Sequence, residues 1–409
     1  MSGQLVRLWC ASLLGAASFI GAASAGASEV HPDGSTTFPS ATFTAPFVFV
    51  ATGSGVIISE QGEILTNYHV IADSCSPLSP ALTVRLAGGG EAAARLVAID
   101  PVGDLALVRL DPLPRIPGVA RLSETIPPPG TAVIAVGNPF ALSERDDQPT
   151  VSQGVLSTGR IVRQTYVDCL QHDAAVNPGN SGGPLFTRQG ALLGITGAIR
   201  SRSGFRINSG IGLSIAAPAL ARFLPALRQA PGGWVLRTAA PEGLTFERGD
   251  HGVRVKVAVA PLVVGDRVVR LDGRPCPSVT TTENLFCSWP WSAGMTIDVD
   301  IVRDGKELSV AVPAGRSVIP GKPWLGFTII ERDGRLSVAQ LEANSPAAGA
   351  GIVNDETLLA ANGVTLNSRL DALRVTAPLA IGDRLELQLR AVDGAERTVS
   401  CWIAPVHQP

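Results

Sequence analysis

Between Phe47 and about Leu227 the apolar positions fall in short runs broken by glycine and proline. Phe47-Val50, Gly55-Ser59, Leu82-Leu86, Leu105-Leu110, Ala132-Val136 and Leu192-Thr196 are too short for helices, so they predict strands. Many short strands with turn signals between them predict an all-β barrel or sandwich. One segment breaks the pattern. Pro218 to Gln229 (PALARFLPALRQ) spaces its apolar residues at helical intervals and stops at Pro231-Gly232-Gly233, predicting a helix that closes a first domain.

Beyond that point one unit occurs twice. In the first copy a strand runs into the Asp272-Gly273 turn, and a longer alternating strand follows from Met295. In the second a strand runs into Asn362-Gly363, and the alternating strand covers Leu385 to Leu389. A self-similarity of about 85 to 90 residues implies tandem domains, because solenoid repeats are shorter. The expected division is 1–27, 28–230, 231–319 and 320–409, the last joint falling near Ile319-Pro320-Gly321.

Composition narrows the class. Apolar residues make up 45% of the 409 and charged ones 17%, which excludes a disordered chain. A net charge of −2 argues against a nucleic-acid partner, which calls for a basic excess. Lys256, Lys306 and Lys322 are the only lysines among 33 basic residues. That bias reads as codon usage and gives the scattered arginines no functional weight. Mean hydropathy is +0.25, yet no apolar run of about 18 residues occurs after residue 27, so no integral span is expected in the mature chain.

Residues 1–27 read as a secretory leader. Arg7 gives the basic start, Leu13 to Ile20 a modest apolar stretch, and Ala23-Ser24-Ala25 a cleavage site, with Ala27 a second option. The expectation is an exported, periplasmic protein, with secretion or retention by an uncleaved anchor as alternatives. Export means an oxidising compartment, where Cys276 and Cys287 form the candidate bridge among Cys75, Cys169, Cys276, Cys287 and Cys401. There is no C-x-x-C and no H-E-x-x-H, so no metal and no other cofactor is expected.

Three patterns carry chemistry. Ile64 to Val70 (ILTNYHV) reads as a strand delivering His69, Asp104 stands at the mouth of Leu105-Val108, and Asn177 to Leu185 (NPGNSGGPL) carries Ser181. A serine hydroxyl is a weak nucleophile that needs a base, and the base needs a group to fix its tautomer. His69, Asp104 and Ser181 supply those roles. The glycines beside Ser181 permit a turn that aims backbone N–H groups inward, so Gly179, Asn180 and Ser181 form the candidate oxyanion loop, with Gly179 and Ser181 as donors. Taken singly, each residue also has a structural reading; their order within one β-rich domain favours catalysis. The string G-x-S-x-G also fits a nucleophile elbow, which needs a strand before the serine and a helix after it. Pro178 and Pro184 argue against both, and His69 precedes the serine rather than following it.

On these motifs the chain resembles the HtrA/Deg family of serine proteases. The matching stretches are GSGVIIS, ILTNYHV, DLALVRL, AVGNPF, SQGVLSTGR, DAAVNPGNSGGPLF and GIGLSIA, spread over about residues 47 to 220. The resemblance implies a mainly β protein: a chymotrypsin-like double β-barrel followed by two PDZ-like domains. It implies an exported endopeptidase acting on unfolded or damaged polypeptides. Val176, Ile199 and Leu213 would line a substrate pocket for small or medium aliphatic side chains. Leu325, Gly326 and Phe327 would form the carboxylate-binding loop of the second PDZ-like unit, with Asn367 or Ser368 capping a helix that turns Leu370 and Leu373 to the groove. The loop of the first unit, Gly243-Leu244-Thr245-Phe246, is weaker. C-terminal peptides would be partners there, and the alternative function is a peptide-sensing holdase. Relatives imply a trimer-based homo-oligomer, for which Phe38, Phe43 and Phe47 are candidate contacts. Departures from the family pattern include His172 where threonine is usual, which either tunes the active-site loop or, as the favoured expectation, is a partly exposed structural histidine, and a polar insertion at Ser143 to Pro149.

Overall fold

A computed structural model describes strands at 7–11, 29–30, 36–37 and 47–50 and then residues 53–405, apart from 73–74, 76–80, 87–89, 117, 141–148, 164–165, 200–209, 320–322, 333 and 344. Phe38, Phe43 and the Ser143–Gln148 part of the insertion lie outside the described residues, as does the side chain of Phe47.

The first barrel is built from β1 (Phe47–Val50), β2 (Gly53–Ile57), β3 (Glu63–Thr66), β4 (Ala81–Arg85), β5 (Glu91–Asp100) and β6 (Leu105–Leu110). They form a ring in the order β1-β2-β3-β6-β5-β4, closed by the Phe49–Arg85 bridge. Arg7–Ala11 also lies along β1 and β4, but the ring closes without it. A second closed barrel follows. Its strands are β7 (Ala132–Gly137), β8 (Thr150–Arg163), β9 (Tyr166–His172), β10 (Pro184–Thr187), β11 (Leu192–Ile199) and β12 (Gly212–Ala216), ordered β7-β8-β9-β12-β11-β10. Closure leaves no free sheet edge, which is how such short strands become stable.

A one-turn helix, α1 (Tyr68–Ile71), follows β3, so the strand expected to deliver His69 stops at Thr66. Asn67 takes an extended conformation there and starts the turn. Helix α2 (Ala217–Gln229) buries Ala217, Ala219, Leu220, Phe223, Leu224 and Leu227 along one stripe against both barrels. Burial of a leucine or phenylalanine contributes about 1.5–3 kcal/mol, so this stripe is what fixes α2 across the barrels.

The two C-terminal units share one topology. The first runs β13 (Thr245–Gly249), β14 (Gly252–Val257), β15 (Arg267–Leu271), α3 (Val279–Leu285), β16 (Thr296–Arg303) and β17 (Lys306–Pro313). The second runs β18 (Thr328–Arg332), β19 (Arg335–Ala339), α4 (Pro346–Gly349), β20 (Thr357–Ala361), α5 (Arg369–Thr376), β21 (Arg384–Arg390) and β22 (Glu396–Trp402). In each, the five strands pair in sequence order. Ser278 and Ser368 cap α3 and α5, each accepting from the N–H three residues on.

Two expectations fail here. Cys276 and Cys287 are free thiols, not a bridge. Cys276 is buried in its unit's core with Sγ 3.8 Å from the Arg274 carbonyl, and burial pushes both thiols up, towards the neutral form. Nor are the arginines idle. Arg237 pairs with Asp100, and Arg222 and Arg274 both reach Asp168, tying the first C-terminal unit and α2 to the barrels.

Candidate active site

Both barrels contribute to one seam. From the first comes His69, whose backbone N–H donates to Asp104 Oδ1 (2.8 Å) and whose Nδ1 lies 2.7 Å from Asp104 Oδ2. Asp104 is held in turn, its carbonyl accepting from Asn67 Nδ2 at 3.0 Å. Its φ of 56° lies in the left-handed region, which aspartate tolerates better than most residues. The turn from Asp100 to Asp104 therefore turns the carboxylate back onto α1 just as β6 begins. His69 is half-exposed on the substrate side, with 47% of its side chain accessible, while Asp104 is largely covered.

The second barrel supplies Ser181 on the loop between β9 and β10. That loop is tightly built. The Asn180 N–H donates to the Asn177 carbonyl (3.0 Å), and the Gly183 N–H to the Asn180 carbonyl (2.9 Å). Gly179 has φ 104°, and a side chain there would run into the Asn138 backbone. With the Asn180 amide spent inside the loop, Gly179 and Ser181 are its remaining donors, and neither finds an acceptor among the described residues. No hydrogen bond joins Ser181 Oγ to His69 among the described residues; such contacts often tighten only when a substrate binds.

One residue of this site went unread in the sequence. Ser54, fully buried in β2, locks the two halves together. Its N–H donates to the Ser181 carbonyl (2.7 Å), its Oγ donates to the Gly179 carbonyl (2.7 Å) and accepts from the Asn138 N–H (3.2 Å), and its carbonyl accepts from Thr66 Oγ1 (2.6 Å). The available signal was a hydroxyl between glycines at the head of an otherwise apolar strand.

The expected pocket residues are brought together only in part. Val176 is fully buried and would touch any side chain at Gly212, whose backbone pairs with Ile199. Leu213 is buried one position along, on the opposite face of β12, and the Ile199 side chain lies outside the described residues. His172 is not partly exposed. It is fully buried in the second barrel, and burial pushes its imidazole down to about 4, so it is neutral at neutral pH.

Comparison with known proteins agrees with this geometry. The model of the trypsin-like peptidase domain matches residues 53–195. A probable periplasmic serine endoprotease, DegP-like, of Pseudomonas fluorescens is 34% identical over 317 residues, covering 71% of this chain and 62% of that protein. The periplasmic serine endoprotease DegP of Salmonella typhimurium is 29% identical over 344 residues, covering 77% and 69%. Matches to the Pseudomonas relatives span 55% to 62% of those proteins' length. Among solved structures, the HtrA-type protease AlgW with a tripeptide is 28% identical with a TM-score of 0.52, covering 67% of this chain and 91% of that one. AlgW with a decapeptide is 25% identical with the same TM-score, covering 77% and 95%. In sequence and fold the chain is similar to proteases of the HtrA/Deg family, and it carries a trypsin-like peptidase domain on its two barrels.

Proposed function

We propose that the chain is an exported, periplasmic serine endopeptidase of protein quality control, cleaving unfolded or damaged polypeptides after small or medium aliphatic residues. The observation that carries this reading is the doubly bonded His69–Asp104 pair facing the Ser181 loop across the barrel seam. Asp104 holds the Nδ1–H of His69, which leaves Nε2 as the acceptor for the Ser181 proton. Ser181 Oγ then attacks the scissile carbonyl, the Gly179 and Ser181 N–H groups receive the oxyanion, and His69 returns the proton to the leaving amine. Water releases the acyl group by the same route reversed. The relatives' periplasmic names and the leader pattern with its Ala25 or Ala27 cleavage support export. Loss of residues 1–27 spares the first barrel, because Phe49–Arg85 closes it.

A fluorophosphonate probe and a casein digest test the reading together. The wild type is expected to label and to cleave, and Ser181→Ala to do neither, with a rate loss of about a millionfold. A wild type that neither labels nor cleaves under any condition would leave a peptide-binding scaffold as the function.

Peptide capture is assigned to the second C-terminal unit. Leu325, Gly326 and Phe327 lie beside β18, and Leu370 and Leu373 of α5 are exposed across from it. A peptide adding to the β18 edge would bury its last side chain between them. Leu373→Asp is expected to weaken binding of a fluorescent peptide with an aliphatic C-terminus by about tenfold or more, read by anisotropy; unchanged affinity would remove the groove from that role. In the first unit the corresponding space is filled. Val167 of β9 is buried with Leu244, Phe246, Leu285 and Phe286, and α3 lies against β8. That contact favours a packing role for the first unit.

A further inference from the structure

His172 ends β9, immediately before the loop that carries Ser181, and nothing in the reaction above uses it. Its Nε2 lies 3.0 Å from Ser214 Oγ on β12. Ser214 Oγ lies 3.4 Å from Thr196 Oγ1 on β11. Thr196 in turn is bonded to the serine loop through its backbone: its carbonyl accepts from the Gly182 N–H (2.7 Å), and its N–H donates to the Gly183 carbonyl (2.8 Å). A continuous polar path thus leads from the start of the nucleophile loop to the two residues after the nucleophile.

This path crosses an apolar interior. Leu170, Ala174, Val176, Leu185 and Leu193 are buried around it. Hydroxyls and an imidazole in such a place are costly unless bonded to one another, so the chain is satisfied in one arrangement of β9, β11 and β12 and in few others. It also spans a soft spot, because the β11–β12 register shifts between Thr196 and Ala198. Room for the ring comes from Gly212. A Cβ there would lie 2.6 Å from His172 Cε1 and 3.0 Å from a Val176 methyl. The side-chain bond that anchors the ring to β12 runs through Nε2.

We propose that His172 is a positioning residue: through Ser214 and Thr196 it sets the placement of Gly182 and Gly183, and with them of Ser181 Oγ and the amides that receive the oxyanion. The inference rests on Ser181 being the nucleophile. A shift of about 1 Å in a reacting group is enough to cost on the order of a hundredfold in rate. The ring is neutral at working pH, so it acts here by shape and hydrogen bonding.

The test uses the full chain with His172→Leu, His172→Gln and Ser214→Ala, read as kcat and KM on a chromogenic peptide, fluorophosphonate labelling rate and thermal midpoint. Leucine fills the site without a hydrogen bond, and glutamine can restore the bond to Ser214. His172→Leu and Ser214→Ala are expected to lose about 10- to 100-fold in kcat and labelling rate, with KM within about threefold. The midpoint of the leucine variant is expected to hold, and glutamine to recover most of the rate. Wild-type kcat in both His172→Leu and Ser214→Ala, or a glutamine variant as slow as leucine, overturns the proposal. Should leucine unfold the barrel, Ser214→Ala decides alone. A wild type without Ser181-dependent labelling overturns the protease reading itself, a result that no His172 variant can mimic.

Discussion

Asp104→Asn is expected to lower kcat about ten-thousandfold without loss of fold. Both carboxylate oxygens of Asp104 accept hydrogen bonds, one from the His69 backbone and one from His69 Nδ1. Asparagine has one acceptor and one donor to place there. With its oxygen kept on the His69 N–H, its amide faces Nδ1 and donates, which moves the imidazole proton to Nε2. In that tautomer His69 cannot accept the Ser181 proton. Stability changes little, since Asn67 bonds the main-chain carbonyl and asparagine tolerates the left-handed backbone as well as aspartate does. Steady-state kinetics beside a thermal melt will decide; a kcat within about tenfold of wild type would remove Asp104 from its assigned role.

Arg237→Ala is expected to cost about 3–5 kcal/mol, because it strands a buried carboxylate. Asp100 is fully buried, and its Oδ2 lies 2.6 Å from Arg237 Nε. Burial pushes the Asp100 carboxyl up, against the pull of Arg237 and of the Gly103 N–H. The same guanidinium stacks 4.0 Å over the Phe223 ring and donates to the Cys287 carbonyl, and it occupies the space that a side chain at Gly103 would need. One side chain therefore joins α2, the first C-terminal unit and the turn that presents Asp104. Lysine cannot replace this forked contact. Combining Arg237→Ala with Asp100→Asn, which removes the stranded charge and keeps an acceptor for Gly103, is expected to recover part of the loss. A urea midpoint for Arg237→Ala within about 1 kcal/mol of wild type would show that the pair is dispensable.

The proposed triad was legible because its parts are local. His69, Asp104 and Ser181 each sit in a short string whose composition serves the chemistry, and their order excluded the nucleophile elbow. The strands and α2 were legible for a similar reason, since run length and apolar spacing are set by neighbours in the chain. The partners of His172 and Ser54 were not. Both are polar residues in segments whose periodicity says nothing about what crosses a barrel interior, and their partners lie 42 and 125 residues away. The arginines were discounted on composition, which cannot separate a surface cation from one inserted between units. Eleven residues of spacing likewise made Cys276 and Cys287 a plausible pair, whereas packing leaves both thiols free in and beside the core of their unit.

By itself, then, the sequence determined the class of the protein, its duplicated C-terminal half and the residues of its candidate site. These depend on residue type and spacing, which a linear string carries in full. Tertiary structure alone decided how the site is held: Ser54 bridging the barrels, Arg237 bracing the Asp104 turn, and His172 threading a polar path beneath Ser181. Each depends on closing two barrels and docking a further unit, and closure brings together groups that no local pattern relates.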